Sequence, residues 1–288
     1  MDKLIMKKIL DYHSDLNFVD GQISRDGTLL LLETDMHEVD FFERPVPRHD
    51  WMVRMINKEG LTSIKLKHVP LIPTEVDLFT DGTLLIVQGR CQKEGNKIER
   101  NARRYNPNGQ LIDAFTLGDG IAQVQIDEID TIWVSYFDEG IFGNFGWDDP
   151  MGKDGFVAYS ISGEKVWSVT EHSMIDCDAF HLINSNECYF YYYDLDYRLV
   201  HIKENKTFNI LSVQGQHELS QFTIDKIGII GTVDNRILKY FQLKGKTFKL
   251  KGKIKLVDEK GKQIKGRVFV RGSYIYVYAN QCIYYKEL

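Results

Sequence analysis

The chain has 288 residues, 43% hydrophobic and 27% charged, which supplies ample apolar surface for a folded globular core. Lys and Arg total 36 against 41 Asp and Glu, a formal charge of -5, which excludes a protein whose whole surface coats nucleic acid or anionic membrane. No apolar run approaches the roughly 20 residues that a membrane-spanning helix requires.

Residues 1–10 place Leu4, Ile5, Met6, Ile9 and Leu10 between Lys3, Lys7 and Lys8. No export signal is legible there. The segment is expected to act as an outer strand, with a short helix as the alternative. Next comes a degenerate repeat, a polar turn followed by a short and nearly continuous apolar strand. Asp26-Gly27-Thr28 precedes Leu29-Leu30-Leu31-Leu32, and Asp81-Gly82-Thr83 precedes Leu84-Leu85-Ile86-Val87. Further copies start at Ile132-Trp133-Val134, Cys188-Tyr189-Phe190-Tyr191, Ile229-Ile230 and Tyr274-Ile275-Tyr276-Val277. From Leu29 to Tyr274 the mean spacing is about 49 residues, the period of a four-stranded propeller blade. The cysteines, Cys91, Cys177, Cys188 and Cys282, form no C-x-x-C pair, so free thiols and a cytoplasmic setting are expected.

These strands lack polar alternation, as expected for strands covered on both faces, and the run from Tyr189 to Tyr193 is aromatic throughout. The pattern predicts an all-β, six-bladed β-propeller of four-stranded antiparallel blades in a single domain, 1–288. Its inner-to-third strand repeats fall near 18–56, 76–105, 122–159, 179–202, 220–243 and 266–286. The last blade is one strand short, and residues 1–10 are expected to complete it and close the ring. A double sandwich of the same strands is the alternative.

Loop lengths locate a candidate site. Residues 34–50, 89–101 and 138–155 are long insertions between the second and third strands of copies one to three, and long loops inside compact domains are commonly functional. The third holds Asp138, Glu139, Trp147, Asp148 and Asp149, with Gly140, Gly143 and Gly146 every third residue. One reading is a loop presenting carboxylates beside an apolar Trp147 wall. The other is an aromatic-anchored loop with solvated acids. Crossovers on the same face add Asp119, Asp176, Asp178, His217 and Glu218, while Glu75 and Asp77 enter blade two. The first insertion holds His37 and His49, candidate ligands or acid/base groups or plain surface histidines. The second is basic, with Arg90, Lys93, Lys97 and Arg100 available to grip an anion or to face the acidic loop beside it. An acidic, aromatic surface favours a small polar or cationic ligand, or a protein partner. Asp138 and Glu139 are also candidate calcium ligands, since hard carboxylate oxygens suit that ion.

Residues 239–267 contain ten Lys and one Arg against Asp258 and Glu259. Lys249, Lys251, Lys253 and Lys255 alternate with other residues and are expected on one face of a strand spanning 249–255. That strand is the one candidate patch for nucleic acid or an acidic partner. Its other reading is an outermost strand whose lysines block edge pairing.

The turn-plus-strand copies, with Ile132-Trp133-Val134 in the third, resemble the six-bladed propellers of the NHL and SMP-30/gluconolactonase-like superfamily. The segment from Ile132 to Asn144 is also similar to one in uncharacterised bacterial propeller proteins. The resemblance implies a ring of blades with a site on one face. Gluconolactonase-like enzymes hold a divalent metal with Glu, Asn and Asp from separate blades, but the motifs flanking those ligands are absent here, so no ligand set carries over. Three functions remain open: a non-catalytic binding propeller, a calcium-dependent hydrolase or lyase, and a scaffold using the Lys strand.

Overall fold

A computed structural model describes residues 3–215, 219–224 and 228–288. The described residues form an all-β, propeller-like protein with one short helix, Asp138–Phe142. No described helix is long and apolar enough to cross a membrane. The chain divides into two compact units, Asp15–Cys177 and the combination of Met1–Ser14 with Asp178–Leu288.

The unit Asp15–Cys177 contains three four-stranded antiparallel sheets. The first runs Asn17–Ile23, Leu29–Thr34, His49–Asn57 and Gly60–Val69 from its inner to its outer edge. The second runs Glu75–Leu78, Leu84–Val87, Ala102–Tyr105 and Leu111–Phe115. The third runs Ile121–Ile126, Ile132–Tyr136, Phe156–Tyr159 and Lys165–Ser168. Every residue of Leu29–Thr34, Leu84–Val87 and Ile132–Tyr136 is buried, so the continuous apolar runs are covered on both faces. The turns before them close on aspartate. Asp26 Oδ1 accepts from Thr28 N at 3.0 Å, Asp81 Oδ1 from Thr83 N at 2.9 Å, and Asp127 Oδ1 from Thr131 N at 2.9 Å. Each carboxylate supplies an acceptor that a tight turn leaves lacking.

Each innermost strand pairs with a strand on one side alone, leaving backbone groups along its other edge. Side chains of the neighbouring innermost strand satisfy some of them. Gln22 Nε2 donates to Val76 O, Val124 N donates to Glu75 Oε2 at 3.2 Å, and Ile126 N donates to Asp77 Oδ2 at 2.6 Å. The other unit repeats the device, with Val270 N donating to Gln221 Oε1 at 2.8 Å.

That second unit departs from six separate blades. Its last sheet is an ordinary four-stranded one, Arg267–Arg271, Tyr274–Ala279, Cys282–Glu287 and, outermost, Lys7–Asp11. The N-terminal strand pairs antiparallel, Lys7 opposite Tyr285 and Asp11 opposite Cys282. Lys3–Ile5 lies parallel to Lys255–Val257, which sinks Leu4 and Met6 among Val268, Ile275 and Val277. The eight strands before it form one continuous sheet instead of two. Its two four-stranded meanders join at their outer edges, where Ser212 and Val213 pair in parallel with Thr247 and Phe248. Four separate four-stranded sheets and one eight-stranded sheet therefore stand where six blades were expected. The physical reason is that open strand edges pair when they approach.

The lysine strand is also broken up. Thr247–Lys253 and Lys255–Val257 are separate strands, and a register shift between Tyr240 and Phe241 interrupts the alternation near Lys251. The four lysines are exposed, but no uninterrupted strand holds them in one row. Within Thr247–Lys253, the residues after the paired Phe248 include the exposed Lys249, Lys251 and Lys253, which oppose further edge pairing. Of the aromatic run, Phe190, Tyr191 and Tyr192 are buried, while Tyr189 stacks on His201 at 4.1 Å between centroids and Tyr193 lies 5.1 Å from Tyr197.

Candidate functional site

The three insertions of the unit Asp15–Cys177 interlock. Arg90 is their centre: its Nε donates to Asp119 Oδ1 at 3.0 Å and its Nη2 to Asp119 Oδ2 at 3.1 Å, while Nη1 pairs with Glu139. Its guanidinium lies over the rings of Phe145, Phe42 and Phe137, at 4.4, 5.3 and 5.6 Å from their centroids. One cation thus gathers the crossover carboxylate of Asp119, Glu139 and Phe145 of the third insertion, and Phe42 of the first.

Neighbouring contacts extend the seam. Arg44 from the first insertion pairs with Glu99 of the second at 2.7 Å and donates to the Arg90 carbonyl at 3.3 Å. Lys93 N donates to Phe145 O at 2.9 Å, Trp147 Nε1 donates to Cys91 O at 2.7 Å, and Phe42 stacks on Phe145. The second insertion carries its own small hairpin, Lys93–Glu94 with Lys97–Ile98.

The third insertion opens on a helical turn where an unbroken loop was expected, and the strand before it ends at Tyr136. Asp138 and Glu139 occupy its first turn, where carboxylates suit the unpaired amides of a helix start. The turn lets both acids depart from strand alternation. Glu139 reaches Arg90 and accepts from Asn144 Nδ2 at 2.7 Å, whereas Asp138 is exposed. The periodic glycines have a local cause. A Cβ on Gly140 would run into the Asp119 carbonyl, and one on Gly146 into the Lys93 carbonyl, so both positions press against the second insertion and its following turn.

The remaining candidate residues are distributed as follows. Arg90 and Asp119 are buried, and together with Cys91 N, which donates to Asp119 Oδ1 at 2.7 Å, they form an internal clamp. Trp147 is buried as a loop anchor and lies under Lys93, whose Nζ is 5.3 Å from the ring. Asp148 and Asp149 are exposed, and Asp149 pairs with Lys153 at 2.8 Å, a contact that holds its carboxyl below the usual range. His217 and Glu218 lie outside the described residues. Glu75 and Asp77 serve the strand edges described above and do not join the insertions' acidic residues.

Asp138 does meet one partner from the crossovers: its backbone N donates to Asp176 Oδ1 at 2.8 Å. Burial raises the Asp176 carboxyl pKa, the hydrogen bond from Asp138 N opposes that rise, and the nearby Asp138 charge adds to it. Among the described residues, no three His, Cys, Asp or Glu side chains assemble as metal ligands. Glu139 is already committed to Arg90 and Asn144, so the residues present do not fit a calcium cage built on Asp138 and Glu139.

Some contributors carried no separate signal in the sequence. Phe42, Phe137 and Phe145 are ordinary aromatics until the fold places Arg90 among them. Lys65 and His68, on an outer strand, join Asp35, Arg48, His49 and Asp50 around a polar cavity of about 420 Å³. There Asp50 pairs with Lys65 at 3.0 Å and accepts from His68 N at 3.0 Å. His37 is exposed and lines none of these contacts.

The interlocked insertions form a cap whose internal charges are paired and whose exposed residues include Phe42 and Phe142, 58% and 66% exposed, with Asp138, Asp148 and Asp149. Such a surface offers hydrogen-bond acceptors and apolar contact on a braced support.

No protein-family description matches the chain, and no curated protein matches it. Among solved structures the chain is similar to selenomethionine-substituted virginiamycin B lyase from Staphylococcus aureus, at 12% identity and a TM-score of 0.54, covering 96% of this chain and 82% of that one. At that identity the likeness shows the fold alone, a β-propeller.

Proposed function

We propose that this protein is a non-catalytic binding propeller whose capped face, built by the insertions of the first three sheets, takes a cationic partner: a small polyamine-like ligand or a basic segment of another protein. The observation that carries this reading is the inward pairing of Arg90 with Asp119 and Glu139, which braces the cap while Asp138, Asp148, Asp149, Phe42 and Phe142 stay on its surface. Cationic groups with an apolar stem complement carboxylates interspersed with rings. Counting the eight-stranded sheet as two meanders gives six blades, the ring that the repeat favours. Four free cysteines support a reducing, cytoplasmic setting.

The test is calorimetric titration with spermidine and with a short Lys-rich peptide. Saturable binding by one of them, lost in Asp138→Asn and weakened in Phe142→Ala, supports the reading. Wild-type protein that takes up neither probe overturns it.

The second reading is a hydrolase or lyase of the six-bladed propeller type, with a calcium-dependent and a calcium-independent form. Asp138 beside Asp176, whose pKa is raised, favours it as an acid/base pair, and the similarity to a lyase fold is consistent with it. Thermal melting in millimolar calcium separates the forms. A rise in Tm that disappears in Asp138→Asn supports metal binding, and an unchanged Tm removes calcium from the proposal.

A further inference from the structure

The unit formed by Met1–Ser14 and Asp178–Leu288 contains a cavity of about 460 Å³ whose described lining residues all belong to that unit, and it has no part in the function proposed above. Ile183 and Leu288, each 47% exposed, line it, and so does His181, which is 3% exposed. The cavity therefore runs from the surface down to a buried imidazole. Between them the lining is largely apolar, with Ile224, Ile230 and the Tyr240 ring, and Thr223 adds a hydroxyl. Gly228 belongs to this wall because a Cβ there would strike the Tyr240 ring, so the aromatic lies directly against the backbone.

His181 is the unusual member. Its Nδ1 is buried and has no hydrogen-bond partner. Its ring lies 6.1 Å from that of Phe222, an apolar neighbour. Burial holds the imidazole neutral at ordinary pH, so it offers one donor and one acceptor nitrogen and no charge. Buried polar groups are rarely left unmatched, and an imidazole that lines a cavity of ligand size is a group that a bound molecule would complete.

We propose that this cavity is a binding site for a small, uncharged, mainly apolar molecule with one hydrogen-bonding group, such as an aromatic alcohol, whose polar atom meets the His181 imidazole. Apolar walls supply most of the affinity through burial, and the imidazole selects for the polar group and fixes the orientation. A cation is disfavoured, because the imidazole is neutral and the nearby Arg271 is positive.

Full-length protein carrying 15N-labelled histidine is titrated with 2-naphthol and separately with naphthalene, following the His181 ring nitrogens by NMR. Saturable binding of 2-naphthol is expected, with a shift of a His181 ring-nitrogen resonance and roughly 2- to 10-fold tighter binding than naphthalene, the range a neutral hydrogen bond supplies. His181→Phe should erase that preference while naphthalene still binds. Thr223→Trp, which puts a bulky ring into the cavity, should weaken both probes. Wild-type protein that binds neither molecule, or binds both with no change at the His181 nitrogens, overturns the proposal, and this readout stands even if a variant fails to fold.

Discussion

Arg90 and Asp119 face each other through two parallel hydrogen bonds, Nε to Oδ1 at 3.0 Å and Nη2 to Oδ2 at 3.1 Å, with the Asp119 side chain fully buried and that of Arg90 10% exposed. A guanidinium fork on a carboxylate is the strongest geometry available to such a pair. Removing one partner strands the other charge away from water. Arg90→Ala is expected to cost about 3–5 kcal/mol in urea unfolding, because Asp119 loses its counter-ion. Glu139→Gln should cost much less, since the Glu139 side chain is 35% exposed and water screens it. Equal, small losses for both variants would show that the clamp does not brace the cap.

Asp77 makes a second test, directed at the sheets themselves. It is fully buried and accepts from Ile126 N, an amide on the next innermost strand. Asp77→Ala leaves that amide without this acceptor, and a loss of about 1–3 kcal/mol is expected. Hydrogen exchange at Ile126 should accelerate in the variant. Unchanged protection there would mean that the bond does not hold the inner edge.

Deleting residues 3–11 removes the outer strand beside Cys282–Glu287 and withdraws Leu4 and Met6 from the core around Val268 and Val277. The expected results are a markedly lower Tm and concentration-dependent association, because the uncovered strand edge can pair with another chain. A monomeric, fully stable deletion variant would contradict the pairing.

His181 predicts a pH dependence. Burial, and secondarily the positive Arg271, lower its pKa from the ordinary 6.5 to about 4. The unfolded chain therefore takes up a proton first as pH falls. The group's contribution is fully present above about pH 6.5, is lost as pH drops toward 4, and totals on the order of 3 kcal/mol. Urea unfolding of wild type and His181→Phe between pH 7 and pH 4 checks this: the variant should lack that part of the slope. Parallel slopes would show that His181 does not titrate as a buried neutral group.

The sheets were largely readable from local pattern. An aspartate-closed turn followed by Leu29-Leu30-Leu31-Leu32 or Leu84-Leu85-Ile86-Val87 describes a doubly covered strand by itself, because both signals lie within a few residues. The helical turn at Asp138–Phe142 was not readable, since five residues with a central glycine carry no helical period and the turn depends on Gly140 pressing against Asp119. Nor was the union of two meanders, which depends on where Val213 and Phe248 meet in space.

Sequence alone determined the blade-like repeat, the three long insertions and their acidic, basic and aromatic content, all of which follow from the order of residues along a strand or loop. Only tertiary structure decided what those charges do. Arg90 precedes Asp119 by 29 positions and Glu139 by 49, and neither spacing corresponds to a local element. Their meeting depends on how neighbouring sheets orient their loops, so an acidic loop that read as an open ligand cluster is partly consumed in bracing the cap. The His181 cavity has the same origin: its lining comes from strands and turns more than a hundred residues apart, and a void is a property of packing that no single segment contains.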